Sequence, residues 1–464
     1  MDEQRIVAGQ DSPILRRSIV AGSIGVLVHW FDWAVYAYLA STIASVFFPD
    51  ENKTAGLLAV FAVFAVSFAI RPLGALIFGP LGDRIGRRRT LSIVILSMTG
   101  ATLLVGLLPS YRSIGILAPI LLVVARLVQG LAAGGEFGSA ASFLAEYSPI
   151  KHRGFGVSWL EVGSLLGFLA ASLTIFLLDV GLSSAAVSEW GWRIPFLLAA
   201  PLGLIGFYIR RKIEDTPDFR TLEERGTLSE APLREVFTRN WRQLLQLCGV
   251  EVLQHVTFYV VLVFLLTYQT EYLGLSASGA ALASTVTSIV ALVLVPLFGA
   301  LSDRVGRRPV LLAASVALLV LSYPFFLLMQ HGGLAGAILS TIGLGVILAM
   351  ILGTHAVAMA EIFPTRVRQG ALSIGYNAMA ALFAGTVPYL LTFWINRTHD
   401  LNAPALYLVI VAVVGLVATL TLRETVGRSL LTEADIAPDV AEPGAAAPAG
   451  DSPLGTEPAR SERA

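Results

Sequence analysis

Long apolar runs separated by short polar stretches set the pattern of this chain. A membrane-crossing helix needs about 20 mostly apolar residues. Twelve segments meet that need, at 18–47, 57–80, 90–109, 115–145, 154–179, 190–211, 243–272, 279–301, 309–329, 335–361, 370–396 and 404–423. Lipid satisfies no backbone hydrogen bond, so each run is predicted to be a helix; a barrel would show short alternating strands instead. The predicted fold is an all-α membrane protein of twelve transmembrane helices in two six-helix halves. The polar stretches divide it into an N-terminus (1–17), a first half (18–212), a linker (213–242), a second half (243–423) and a tail (424–464). The tail is rich in Ala, Pro, Gly and Glu without apolar periodicity, and is expected to be disordered.

The two halves repeat a motif. Gly79-Pro80-Leu81-Gly82-Asp83-Arg84-Ile85-Gly86-Arg87-Arg88 returns as Gly299-Ala300-Leu301-Ser302-Asp303-Arg304-Val305-Gly306-Arg307-Arg308, each between the second and third helix of its half. Positive charge near a membrane would explain the arginines but not the same spacing twice. The residues Gly79, Asp83, Arg84, Gly86 and Arg87, with Asp303, Arg304, Gly306 and Arg307, are therefore expected to lock neighbouring helix ends and gate a conformational change. The aspartates should pair with nearby arginines or helix N-termini. A second echo sets Glu146 to Gly154 against Glu361 to Gly370. Parallel repeats of this kind place a substrate site near the membrane midplane, between the halves.

Charge fixes an expected orientation. The motif loops, the N-terminus and the linker hold most Lys and Arg near the spans, so both termini and the linker should be cytoplasmic. Charged residues make up 14% of the chain, against about 25% in soluble domains, and mean hydropathy is +0.74. Lys+Arg and Asp+Glu both number 32, which gives no sign of a nucleic-acid partner. Cys248 is the single cysteine, so no intrachain disulfide is possible.

Ionisable residues inside spans are costly in lipid and point to function. Helix one carries His29, Asp32 and Tyr36 on one face, with Trp30 and Trp33 beside them. Arg71 lies in helix two, Arg126, Gln129 and Glu136 in helix four, and Glu161 in helix five. Glu251, His255 and Tyr259 share a face of helix seven, and His355 lies in helix ten. Asp32–Arg71 and Glu136–Arg126 are the expected static pairs. The acids outnumber these two arginines, so some acid must titrate or meet a cation. Asp32, Glu161 and Glu251, with His29 and His255, are the expected proton-coupling groups, and His355 is a further possible relay. Arg71 and Arg126, aided by Gln129 and Tyr259, should hold a carboxylate. Trp33 and Tyr36 could cage an ammonium, while Trp30 is expected at a lipid-facing aromatic belt. Gly130, Gly134 and Gly138 on helix four, and Gly163 and Gly167 on helix five, allow close helix approach, as static packing or as a sliding surface.

These residues resemble the metabolite:proton symporters of the major facilitator superfamily. The resemblance rests on Trp30-Phe31-Asp32, Arg71-Pro72-Leu73-Gly74, Arg126-Leu127-Val128-Gln129-Gly130, Gly134-Gly135-Glu136 and Trp190-Gly191-Trp192-Arg193-Ile194-Pro195-Phe196. Within that family Trp159-Leu160-Glu161, Glu214-Asp215-Thr216-Pro217 and Arg423-Glu424-Thr425 are most similar to proline/betaine osmoprotectant transporters. His29, where those proteins usually have glutamate, and the added Glu251 and His255 depart from it. The resemblance implies the major facilitator fold and import of a zwitterion by proton symport and alternating access, in a bacterial inner membrane. The alternative is uptake of a di- or tricarboxylate; a drug/proton antiporter or a non-transporting sensor ranks lower. The expected partners are a small-molecule substrate, protons and the lipid bilayer, with the protein a monomer. No cofactor or metal is expected. No nucleophile elbow or cofactor loop points to an enzyme.

Overall fold

A computed structural model describes residues 12–48, 53–212, 215–229 and 231–431. Twelve helices are long and apolar enough to cross a membrane: α1 Ile19–Tyr38, α2 Leu58–Ile85, α3 Arg87–Leu107, α4 Leu117–Tyr147, α5 Ile150–Leu178, α6 Val187–Arg211, α7 Trp241–Tyr272, α8 Ser278–Val305, α9 Arg307–His331, α10 Gly333–Glu361, α11 Arg368–Thr398 and α12 Ala403–Thr421. All twelve predicted spans are present. Their outward faces expose Leu, Val, Ile and Phe, as lipid contact requires, while the ionisable residues singled out inside the spans, from His29 and Asp32 to Glu251 and His355, turn inward.

Glycine decides which helices touch. In the first half α1 lies on α5, where Gly163 and Gly167 face the Ser23 and Leu27 carbonyls. There too α2 lies on α4, where Gly130 faces the Ser67 carbonyl and Gly134 the Gly74 and Ala75 backbone. Two contacts join the halves in a pseudo-symmetric way. Gly79 of α2 meets Gly370 of α11, and Gly299 of α8 meets Gly154 of α5. Gly138 of α4 also faces the other half, at Ser373 and Gln369 of α11.

Several helices bend where the chemistry sits. The α2 helix breaks at Ile70, because Pro72 lacks the N–H that would continue the ladder, and Arg71 stands at the break. Single π-turns interrupt α7 at Val260–Phe264 and Tyr268–Tyr272, and α11 at Ala380–Ala384. Such turns are common at functional sites.

With an even number of spans, both ends of the described chain and the linker lie on one face, here called the linker face. Two short helices, Pro217–Arg225 and Pro232–Arg239, run along it. Residues 424–431, read from the sequence as the start of a disordered tail, are instead held against the bundle. Glu424 accepts from the Arg307 and Arg308 N–H groups, and the Leu430 carbonyl accepts from Thr365 and Arg368. Composition alone does not reveal these local bonds. The expected N-terminus at 1–11 and the tail beyond 431 lie outside the described residues.

Candidate functional site: a layered charge core between the halves

Three layers of buried polar side chains follow one another through the interior, the first two built on first-half helices and the third joining the halves. In the layer farthest from the linker face, Arg126 Nη1 donates to Asp32 Oδ2 at 3.1 Å, and both side chains are buried. The Arg126 guanidinium lies 3.6 Å from the centre of the Tyr36 ring, whose other neighbour is the stacked Phe64. The Tyr36 hydroxyl donates to the Val60 carbonyl. Gln129 donates to Thr102 of α3 at 2.7 Å, and both side chains stand beside the Asp32 carboxylate.

Arg71 forms the middle layer. It is 2% exposed. Its guanidinium sits 4.0 Å from the Trp33 ring and 4.2 Å from Phe68, and Nη2 donates to His29 Nε2 at 3.3 Å. Arginine can only donate, so His29 accepts through a ring lone pair and is neutral in this arrangement. No carboxylate of the described residues lies at ion-pair distance from Arg71, and its Nε has no partner. Tyr259, His255 and Tyr376 lie within its electrostatic reach.

The third layer joins the halves. His355 Nε2 meets Glu161 Oε1 and His355 Nδ1 meets Glu251 Oε1, each at 3.1 Å. Ser164 donates to the other Glu161 oxygen at 2.8 Å. His255 Nδ1 lies 2.9 Å from the Glu251 carbonyl oxygen and 3.5 Å from its carboxylate. The rings of Phe137 and Tyr376 stack across the halves at 3.6 Å, and Phe137 also stacks on His355. The carboxylates address opposite nitrogens of one ring. Three ligands do not converge on one point, and the described residues include no cluster suited to a metal.

These positions correct the expected pairs. Asp32 takes Arg126, not Arg71, and Glu136 takes Arg210 at 2.8 Å, not Arg126. Arg210 closes α6 from the linker side and also donates to the Ala21 and Leu91 carbonyls. The sequence places it in the basic linker region, which hid it. In this structure the protein's own guanidinium groups, Arg71 and Arg126, lie against the Trp33 and Tyr36 rings expected to receive a ligand ammonium. Trp30 is buried, not in an aromatic belt: it contacts Phe168 at 5.3 Å and Phe258 of the other half at 5.6 Å.

The repeated motifs meet at the linker face. Asp83 accepts from the Gln369 and Gly370 N–H groups at the start of α11, and Asp303 from Gly154 and Phe155 near the start of α5. Each motif therefore caps a helix of the opposite half. Arg87 holds Asp83 at 3.2 Å and Glu146 at 3.3 Å; Arg307 holds Asp303 at 2.8 Å and Glu361 at 3.1 Å. The second echo crosses over as well, with Glu146 to Arg368 at 2.7 Å and Glu361 to Arg153 at 2.9 Å. Asp215 and Glu424 cap α3 and α9 from the chain that follows each half. Burial pushes the Asp215 carboxyl up. Burial would also raise Glu424, but four backbone N–H groups outweigh it and hold that carboxyl below its usual range. Gly86 and Gly306 have φ of 100° and 106°, where a side chain would be strained. Arg84 and Arg304, expected among the gating residues, are exposed, and the ion pairs to Asp83, Glu146, Asp303 and Glu361 are made by Arg87 and Arg307.

Comparison with known proteins agrees with this architecture. Residues 18–235 and 220–435 match the family described as Sugar (and other) transporter. The chain is 40% identical to the Proline/betaine transporter of Escherichia coli (strain K12), covering 93% of this chain and 88% of that protein. It is 38% identical, with the same coverage, to the Glycine betaine/proline/ectoine/pipecolic acid transporter OusA of Dickeya dadantii (strain 3937). The proton:xylose symporter XylE bound to 6-bromo-6-deoxy-D-glucose superposes with a TM-score of 0.73 at 19% identity, covering 90% of this chain and 98% of that one. The inward open conformation of XylE from E. coli gives 0.60. The chain thus belongs to the sugar (and other) transporter family of major facilitators, and is a multi-pass membrane transporter.

Proposed function

We propose that this protein imports a small zwitterionic osmolyte, of the proline or glycine betaine kind, together with protons, by alternating access. One observation carries the substrate class: Arg71 is a buried guanidinium inside the bundle, with no carboxylate of the described residues at ion-pair distance. A ligand carboxylate would supply the missing charge through a forked, charge-assisted contact. The ligand's cationic end would then lie toward Tyr259 and Tyr376, with the Glu161 and Glu251 carboxylates beyond Tyr376. The names of the similar proteins point the same way. Arg126 is already committed to Asp32, which leaves one receptor guanidinium rather than two. That arrangement suits a monocarboxylate with a positive end better than a dicarboxylate.

In this reading Asp32, Glu161 and Glu251 are the proton-handling acids, and His29 acts by orienting Arg71. The linker face is cytoplasmic, by the excess of Lys and Arg there. In the same reading the linker-face contacts keep the protein closed toward the cytoplasm, and the protein works as a monomer in the inner membrane of a bacterium. Ligand-induced thermal stabilisation of the purified protein tests the substrate class. Glycine betaine and proline should raise Tm saturably, while choline, which lacks the carboxylate, and 2-oxoglutarate should not. Stabilisation by 2-oxoglutarate alone would replace the zwitterion with an organic anion.

A further inference from the structure

The bridge Glu161–His355–Glu251 differs in kind from every other polar contact described between the halves. In those other contacts the donors are guanidinium groups, side-chain amides or backbone N–H groups, all of which keep their protons. The bridge has no such donor. A carboxylate only accepts, and a neutral imidazole carries one N–H. Two hydrogen bonds, one at each ring nitrogen, therefore need two protons within the triad. They can be held as an imidazolium between two carboxylates, or as a neutral ring with one carboxylic acid. Either way the joined triad holds one proton more than a neutral histidine with two carboxylates. Remove that proton, and a ring lone pair faces a carboxylate at one of the two contacts, and the contact fails.

Position gives the proton a consequence. Glu161 belongs to the first half, and His355 and Glu251 to the second. By helical rise, all three lie roughly 9–17 Å inside the linker-face ends of α5, α10 and α7. The linker face cannot open without parting Glu161 from His355. The groups facing the bridge are His255 and Cys248 on α7, Tyr376 on α11 and, beyond it, Arg71 on α2.

We infer that Glu161, His355 and Glu251 form a proton-carrying lock between the halves, with His355 as its central coupling residue. The inference rests on the proton-symport reading and extends it. The lock keeps its proton while the linker face is closed and gives it up as that face opens, which is the sequence that inward proton delivery requires.

The test measures opening directly, without substrate. Spin labels at Lys151→Cys and Arg304→Cys, exposed sites on opposite halves, report the linker-face distance by pulsed electron resonance in nanodiscs, in a Cys248→Ser background. With the native bridge, the ratio of open to closed populations should rise by about tenfold per pH unit across the titrating range, the slope for one proton released on opening. Glu161→Gln is the decisive variant. Its amide donates to Nε2 of a neutral His355 while Nδ1–H donates to Glu251, so the bridge forms without the extra proton. It should stay closed at pH values where the native protein opens. Glu161→Ala removes the bridge and should open at all pH values. A pH profile of Glu161→Gln that superposes on the native one would overturn the inference, as would an Ala variant that stays closed. A failure of zwitterion binding with these distance shifts intact would instead sink the substrate reading and leave the lock standing.

Discussion

Among the described residues Arg71 is a buried guanidinium without a carboxylate partner, and Arg126 is a buried guanidinium with one; the two should respond differently to substitution. Arg71→Lys keeps the charge but loses the planar fork. It should raise the KM for glycine betaine by about tenfold or more, since a charge-assisted hydrogen bond is worth about 1.5–3 kcal/mol. Initial-rate uptake at saturating substrate should change less. Asp32→Asn leaves Arg126 buried beside a neutral amide. Breaking one side of a buried pair costs about 3–5 kcal/mol, which should show as a lowered Tm. The double variant Asp32→Asn/Arg126→Gln should recover much of that loss, because neither charge remains. The sequence made both arginines visible as costly intramembrane charges. It could not assign their partners, because Asp32, Arg71, Arg126 and Glu136 sit on three helices whose relative rotation no single-helix periodicity encodes. Arg210 stayed hidden for a related reason: lying at the end of an apolar run, it reads as a positive loop residue until its bond to Glu136 is seen.

At the level of helices, one spacing carries two roles. Gly130 and Gly134 bring α4 against α2 within the first half, whereas Gly138, one turn on, meets α11 of the second half. A β-carbon at Gly134 would come 2.6 Å from the Ala75 nitrogen, and one at Gly138 would come 2.6 Å from the Ser373 nitrogen. Gly134→Val should therefore destabilise the first half itself, by about 1–3 kcal/mol for an overpacked contact, with a lower Tm. Gly138→Val should spare the fold and wedge the halves apart at the linker face, seen as greater alkylation of cysteines introduced there. Equal losses of Tm from both would show that α4 packs alike on its two sides. The four-residue spacing was plain in the sequence. Which glycine faced which half was not, because a glycine carries no side-chain chemistry to mark its neighbour.

Across the whole molecule the repeats interlock, and each half completes the other. The paired motifs told where the locks were, but their partners, Glu146 with Arg368 and Glu361 with Arg153, exchange across the pseudo-twofold. Intervals within one copy cannot show that exchange. The same face is expected to respond to pH. Burial and the Glu146 carboxylate push the partly buried Asp218 up to about 7, against the pull of Arg368, Arg153 and Arg87. Its pKa lies above the exposed value of about 3.9. The closed arrangement is therefore favoured by the protonated form, fully below about pH 4, and loses that support as pH rises through 7. Hydrogen exchange of the amides in residues 215–225 should speed up between pH 6 and 8, after correction for intrinsic rates, and Asp218→Asn should flatten that change. The central claim, that a zwitterion held at Arg71 moves with protons through this bundle, is tested most directly by uptake into proteoliposomes. An inward proton gradient would be imposed with labelled glycine betaine, proline and 2-oxoglutarate offered in parallel. The account predicts accumulation of the zwitterions above equilibrium, abolished by a protonophore and absent for 2-oxoglutarate. Equilibration without accumulation, or accumulation of the dicarboxylate alone, would contradict it.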